Sequence, residues 1–100
     1  MRITETMLKA KVQYLNKITG NALDPYRKNA QGKLVSNIGN YHISFAYGGV
    51  SLEQMTNEQG GVRSVFSTGH ISKRELFNRL CAYIQGIEEG RQTDPLYWNK

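Results

Sequence analysis

The sequence predicts an α+β fold: a two-layer domain, its antiparallel sheet of three or four strands flanked by an N-terminal and a C-terminal helix in the order α-β-β-β-α. Three observations predict it. Apolar residues recur at three- and four-residue steps near each end of the chain, the middle alternates apolar and polar residues with a period of two, and glycine pairs punctuate that middle. One sheet face covered by both helices buries all three apolar surfaces at once.

The first helix is expected from Thr4 to Thr19. Met7, Leu8, Val12, Tyr14, Leu15 and Ile18 fall on one face, and Lys9, Gln13, Asn16 and Lys17 fall opposite. Thr4 is suited to the N-cap, and Gly20 stands where a left-handed residue ends a helix. Lys11 lies inside the apolar arc, where its stem packs and its ammonium reaches out to solvent. Residues 20–33 carry turn chemistry in Asp24-Pro25, Asn29 and Gly32 and read as a long loop, the kind of connection that often does the work of a small domain.

The sheet begins at Tyr41, with Tyr41, Ile43, Phe45 and Tyr47 alternating against His42, Ser44 and Ala46. Gly48-Gly49 reads as a two-residue hairpin turn, Val50–Met55 as the returning strand, Asn57–Gly61 as a second turn, and Val62–Phe66 as the third strand. Leu34–Ile38 is a candidate fourth. The last helix opens with Ser72-Lys73-Arg74-Glu75, a capping box, with Ile71 and Leu76 placed as a hydrophobic staple. Leu76, Phe77, Leu80, Tyr83, Ile84 and Ile87 form its core stripe, and it is expected to end near Gly90 despite the cost of Gly86. Tyr41, Tyr47 and Tyr83 are assigned to the core.

One hundred residues suit one domain, assigned to residues 1–92, with 93–100 as a tail containing Tyr97 and Trp98. Apolar residues make up 39% of the chain and charged residues 21%, a globular balance far from that of disordered chains. The single cysteine, Cys81, allows no internal disulfide and falls in the apolar pattern of the last helix, which reads as a small buried hydrophobe and a reducing compartment. No signal-peptide pattern and no apolar run of membrane-spanning length occurs, so the expected location is cytoplasmic, with no membrane partner.

The net charge of +5 is unevenly placed. Residues 1–40 carry seven basic and two acidic side chains, whereas residues 41–100 carry six of each. Such asymmetry suits an anionic partner, and it equally keeps a small protein soluble. The candidate binding residues are Lys9 and Lys17 on the first helix, Tyr26, Arg27, Lys28 and Lys33 in the long loop, and Lys73 and Arg74 at the start of the last helix. Tyr26 is the best exposed aromatic candidate, because tyrosine beside arginine or lysine serves both protein interfaces and nucleic-acid grooves. Lys73 and Arg74 oppose the helix macrodipole, which argues for a use other than helix stability.

His42 and His70 are the only histidines and form the one conceivable acid–base pair, with Glu53, Glu58 and Lys73 near in sequence. Nothing in their spacing fixes a geometry, so no catalytic residue is assigned. One cysteine and two distant histidines do not make a metal site, and neither glycine pair fits a phosphate-binding fingerprint, so no cofactor is expected.

The α-β-β-β-α order with basic residues around Ser72, Lys73 and Arg74 resembles a double-stranded-RNA-binding domain. It departs from that family in the long loop after the first helix and in the bulky Phe77, Leu80 and Tyr83. The phrases Leu15–Gly20, Asn37–His42, Ala46–Gly49, Asn57–Val62 and Gly69–Leu76 resemble small accessory proteins encoded by phages and prophages, across most of residues 15–87. That resemblance implies a bacterial host and a genomic setting in which accessory proteins, anti-CRISPR and other anti-defence proteins among them, often bind and inhibit host complexes. Together with the size, the charge asymmetry and the missing catalytic constellation, it leads to the expectation of a non-catalytic protein that binds a host protein or nucleoprotein complex to inhibit or modulate it. Direct nucleic-acid binding through the same cations is the alternative reading, and a small phosphodiesterase using His42 and His70 is a second.

Overall fold

The computed structural model describes residues 1–93, with helix α1 at Glu5–Ile18, strands β1 at Tyr26–Lys28, β2 at Leu34–Ser36, β3 at Tyr41–Ala46, β4 at Gly49–Met55 and β5 at Val62–Ser64, and helix α2 at Lys73–Thr93. The tail residues Tyr97 and Trp98 lie outside the described residues. The expected α+β architecture is present: β3, β4 and β5 form an antiparallel sheet, and α1 and α2 pack against each other and onto β3 and β4. Its core joins Leu8, Val12 and Leu15 of α1 to Leu76, Leu80 and Ile84 of α2 over Tyr41, Val50 and Leu52.

Capping follows the sequence. The Thr4 hydroxyl accepts a hydrogen bond from the Met7 amide at 3.2 Å, and Ser72 accepts from the Glu75 amide at 3.1 Å. The Glu75 carboxylate does not return to the cap; it lies 3.6 Å from Arg79, one turn along. Helix α2 also continues past Gly90 to Thr93. Lys11, its ammonium expected to reach solvent, is half-buried, with that ammonium 5.8 Å from the centre of the Phe77 ring of α2. Cys81 is half-buried, not enclosed.

Three groups of readings are corrected. The turn after β3 consists of Tyr47 and Gly48, because Ala46 pairs with Gly49, and both turn residues have the positive φ of a type I′ turn. Tyr47 is therefore 97% exposed at the hairpin tip, not in the core. Gly49 belongs to β4, where a Cβ would stand 2.9 Å from the Ile71 carbonyl oxygen, so only glycine lets the chain before α2 lie against the strand. That contact is a bridge in which Val50 and Ile71 exchange two 2.8 Å main-chain bonds.

The second correction concerns residues 20–38. Leu34–Ser36 does not extend the main sheet; it pairs with Tyr26–Lys28, inside the stretch read as loop, to form a separate two-stranded sheet. The Asn29 side-chain oxygen accepts from the amides of Gln31 and Lys33 and shapes its turn. This outlying hairpin is tied to the body by polar bonds: the Asn37 side chain donates to the Asp24 carbonyl, Asn40 donates to the Ala22 carbonyl, and the Ser36 amide donates to the Glu58 carbonyl.

The third concerns Asn16, assigned to the polar face of α1 but in fact fully buried. Its side-chain amide donates to the Tyr41 carbonyl at 2.9 Å and its oxygen accepts from the Tyr41 amide at 2.8 Å. An asparagine side chain carries the donor and acceptor of a peptide group, so Asn16 stands in for a neighbouring strand at this one point of β3. Tyr14, assigned to the apolar face, is 43% exposed, and its hydroxyl donates to the Glu88 carboxylate at 2.8 Å, linking the two helices.

Two predictions follow from this packing. Asn16→Leu, close in shape but without polar atoms, leaves the Tyr41 amide and carbonyl unpaired and should lower stability by about 3 kcal/mol in urea unfolding. Asn16→Asp still accepts from the amide but turns a carboxylate oxygen toward the Tyr41 carbonyl in a fully buried place, so it should cost at least as much. The buried Tyr41 phenol has its pKa raised to about 12, first by burial and then by the 3.1 Å hydrogen bond with Tyr83. Stability from that group is fully present below the ordinary tyrosine value of 10.0 and is lost as pH rises from there through about 12. Ultraviolet absorbance titration should show this late-ionising phenol, and Tyr83→Phe should move its midpoint downward.

Candidate functional site

Of the basic residues in the first two-fifths of the chain, Lys9 and Lys17 lie on the exposed side of α1, and Arg27, Lys28 and Lys33 lie in or beside the β1–β2 hairpin. Lys9, Gln13 and Lys17 are spaced by four on α1 and share a solvent-facing stripe. Gln13 donates from its side-chain nitrogen to the Leu23 carbonyl at 3.1 Å, which fastens the start of the hairpin segment beside that stripe. The hairpin then presents Tyr26, Lys28 and Leu34 on one face, since Tyr26 pairs with Ser36 and Lys28 with Leu34, while Arg27 and Val35 point to the other.

This hairpin is unusual in what it exposes. All three residues of β1 are exposed, Tyr26 at 47%, and Leu34 and Ile38 are open at 61% and 59%. Between the hairpin and the Asn57–Gly61 turn runs a cleft of about 500 Å³, bordered by Tyr26, Lys33, Leu34 and Ser36 on one side and by Glu58 and Gln59 on the other. The Asn57 oxygen holds that turn by accepting from the Gln59 and Gly61 amides, the same device that Asn29 uses in the hairpin.

Two of the candidate cations are structural. Arg27 donates through one guanidinium nitrogen to the Ser36 carbonyl at 3.1 Å and to the Asn37 side-chain oxygen at 2.8 Å, bolting the hairpin to the segment that follows it. Arg74 donates to the Met1 carbonyl and holds the N-terminal segment against α2. Lys73 lies apart from the hairpin, beside Glu5, Phe45 and the β3–β4 turn. Lys9 reaches over the Phe45 ring, 5.9 Å from its centre. Lys17, Lys28 and Lys33 are exposed. Lys73 and Lys9 thus both border Phe45, whereas Tyr26 and Lys33 border the cleft beside the Asn57–Gly61 turn.

The histidines occupy the sheet face away from the helices. His42 faces Glu53 across the β3–β4 ladder at 3.4 Å, and its other ring nitrogen lies 3.3 Å from the Asn40 oxygen. His70 is 3.1 Å from the Ser44 hydroxyl, with Tyr47 edge-on at 5.7 Å. Ser44 follows His42 by two residues on one strand, so the fold does bring both imidazoles to the same face. The partners are cross-strand and loop contacts that order the sheet surface.

Sequence reasoning missed Leu23, Leu34, Ile38 and Phe45 as surface residues. Leu34 and Ile38 belong to the hairpin segment, which stands apart from the core, whereas Phe45 lies on β3 of the main sheet and Leu23 in the connection before the hairpin. No cluster of three or more histidine, cysteine, aspartate or glutamate side chains suited to a metal ion occurs among the described residues, and no helix among them is long and apolar enough to cross a membrane. No family model, curated protein or solved structure matches the chain.

Because Arg27 bonds only within the hairpin and to Asn37 just after it, Arg27→Ala should loosen the hairpin with little effect on the core. Trypsin should cut after Lys28 and Lys33 several times faster, while the urea midpoint of the domain shifts by less than about 0.5 kcal/mol equivalent.

Proposed function

We propose that this is a non-catalytic binding protein, of the accessory kind that phages and prophages encode, which engages a host protein or nucleoprotein complex through its basic α1–hairpin surface and so inhibits or modulates it. One observation carries the reading: the Tyr26–Ser36 hairpin stands off the core and exposes Tyr26 and Leu34 among Lys28 and Lys33, with Ile38 just beyond. Apolar side chains of this size, held open beside cations, lose free energy in water and regain it against a partner, and a tyrosine–cation mixture is the composition of interface centres. The lysines of α1 lie along the approach and favour an acidic partner face.

The test is capture of partners from bacterial host lysate with and without nuclease, using the native protein and a Lys9→Glu/Lys17→Glu/Lys28→Glu/Lys33→Glu variant. A protein that survives nuclease and is lost with charge reversal supports the reading, and capture of no protein overturns it. Arg27 and Arg74 are left intact in the variant because each ties segments of the fold together.

A second reading, direct nucleic-acid binding, draws on the hairpin itself, because a two-stranded ribbon bearing cations fits the major groove and Tyr26 offers a stacking face. If four lysines meet phosphates, affinity for a duplex or single strand should fall about 100-fold between about 50 and 200 mM salt, and the charge-reversal variant should flatten that slope. Binding that ignores salt would remove this reading.

A further inference from the structure

The edge of β3 is an open pairing surface. Val50 and Leu52 of β4 direct main-chain groups away from β3: Val50 exchanges bonds with Ile71, and the Leu52 carbonyl accepts from the Val65 amide at 3.0 Å. Their partners across the ladder are Phe45 and Ile43. In an antiparallel pair, residues facing each other alternate between bonded and unbonded pairs, so Tyr41, Ile43 and Phe45 all direct N–H and C=O outward. Asn16 takes both groups of Tyr41. Those of Ile43 and Phe45 have no partner among the described residues.

Beside them runs a groove of about 240 Å³ between α1 and β3, lined by Lys9, Val12 and Gln13 of the helix, Ile43 and Phe45 of the strand, and Leu23 at its border. Phe45 and Leu23 are about half exposed there. The lining includes a lysine and no carboxylate, and Lys17 continues its stripe along α1. Natural edge strands are usually short, covered or guarded by inward charge, and β3 is six residues long with one position covered.

We infer that this groove receives an extended acidic peptide segment of a partner protein, which adds to the sheet as a strand beside β3. Up to four main-chain bonds form with Ile43 and Phe45, one apolar side chain of the segment seats over Val12 and Ile43, and a carboxylate meets the Lys9 ammonium. Asn16 sets one limit of the added strand by occupying Tyr41, and the Tyr47-Gly48 turn sets the other. A second copy of this chain would bring another Lys9 to the same place, so charge favours a different, acidic molecule. The inference rests on the reading of the protein as a binding module and names the partner's chemistry at a surface separate from the hairpin.

The probe is a synthetic peptide of about seven residues alternating glutamate with valine, the length of one strand. The readout is amide hydrogen exchange of the full chain by nuclear magnetic resonance. Exchange at Ile43 and Phe45 should slow at least about tenfold at saturating peptide, as expected for amides newly paired in a ladder. Lys9→Glu, at an exposed position, should weaken binding about tenfold. N-methylation of the peptide amides that face the edge should abolish it without any change to the protein.

No binding, unchanged exchange at Ile43 and Phe45, or equal affinity for a lysine–valine peptide overturns the inference. Protection that rises with protein concentration before peptide is added assigns the edge to a second copy and overturns it as well. A Lys28→Glu/Lys33→Glu variant separates the two claims: it should keep the peptide and lose the host complex. Host capture without peptide binding would sink this inference alone, and peptide binding without host capture would sink the wider reading alone.

Discussion

The pair of hydrogen bonds between Asn16 and the main chain of Tyr41 is the constraint on which the rest of the domain depends. It fixes the end of α1 against the first residue of β3 at the level of the sheet edge, and it does so in a buried place where an unmade bond costs far more than a made one returns. Once Tyr41 is held, its ring meets Tyr83 edge-on, with 6.2 Å between centres, and Tyr83 in turn meets Phe66 at 5.5 Å, so both helices and the far side of the sheet close around one anchor. The Asn16 carbonyl also accepts from the Asn21 amide at 2.8 Å, which turns the chain out of the helix toward the hairpin.

From that anchor the chain is organised in two different ways. The helices and the three-stranded sheet are held by apolar burial, with Leu8, Leu15, Leu52, Leu76 and Leu80 removed from solvent. Residues 20–40 are held by side-chain amides and one guanidinium, among them Asn37, Asn40 and Arg27, each reaching a main-chain carbonyl or another side chain. Polar tethers of this kind define a geometry without demanding that apolar surface be covered. That is why the hairpin keeps a defined shape while Tyr26 and Leu34 stay open.

The division has a functional consequence. A domain of this size has little stability to spare, and a binding surface built from core residues would draw on it. Here the exposed apolar groups sit on an appendage and along a strand edge, both outside the main core. The basic stripe of α1 runs between the two surfaces, with Lys9 over Phe45 at one end and Lys17 toward the helix end from which the chain leads to the hairpin. One stretch of positive charge can thus draw an acidic partner toward either.

Periodicity and capping by themselves determined the helices, the three strands of the main sheet and their order, because burial of a stripe or an alternating face is a local property of the sequence. The N-caps at Thr4 and Ser72 belong to the same class, since each depends on residues within one turn. Tertiary structure alone decided the rest. Asn16 reads as a surface residue until a strand edge is placed beside it. Tyr47 reads as core until the pairing of Ala46 with Gly49 puts it in the turn. Tyr26–Lys28 is too short and too polar to announce a strand until Leu34–Ser36 pairs with it. Arg27 and Arg74 look like free cations until carbonyl groups from distant segments arrive within reach. In each case the deciding partner is a main-chain group that no side-chain pattern encodes, and it becomes available only when the fold brings the two segments together.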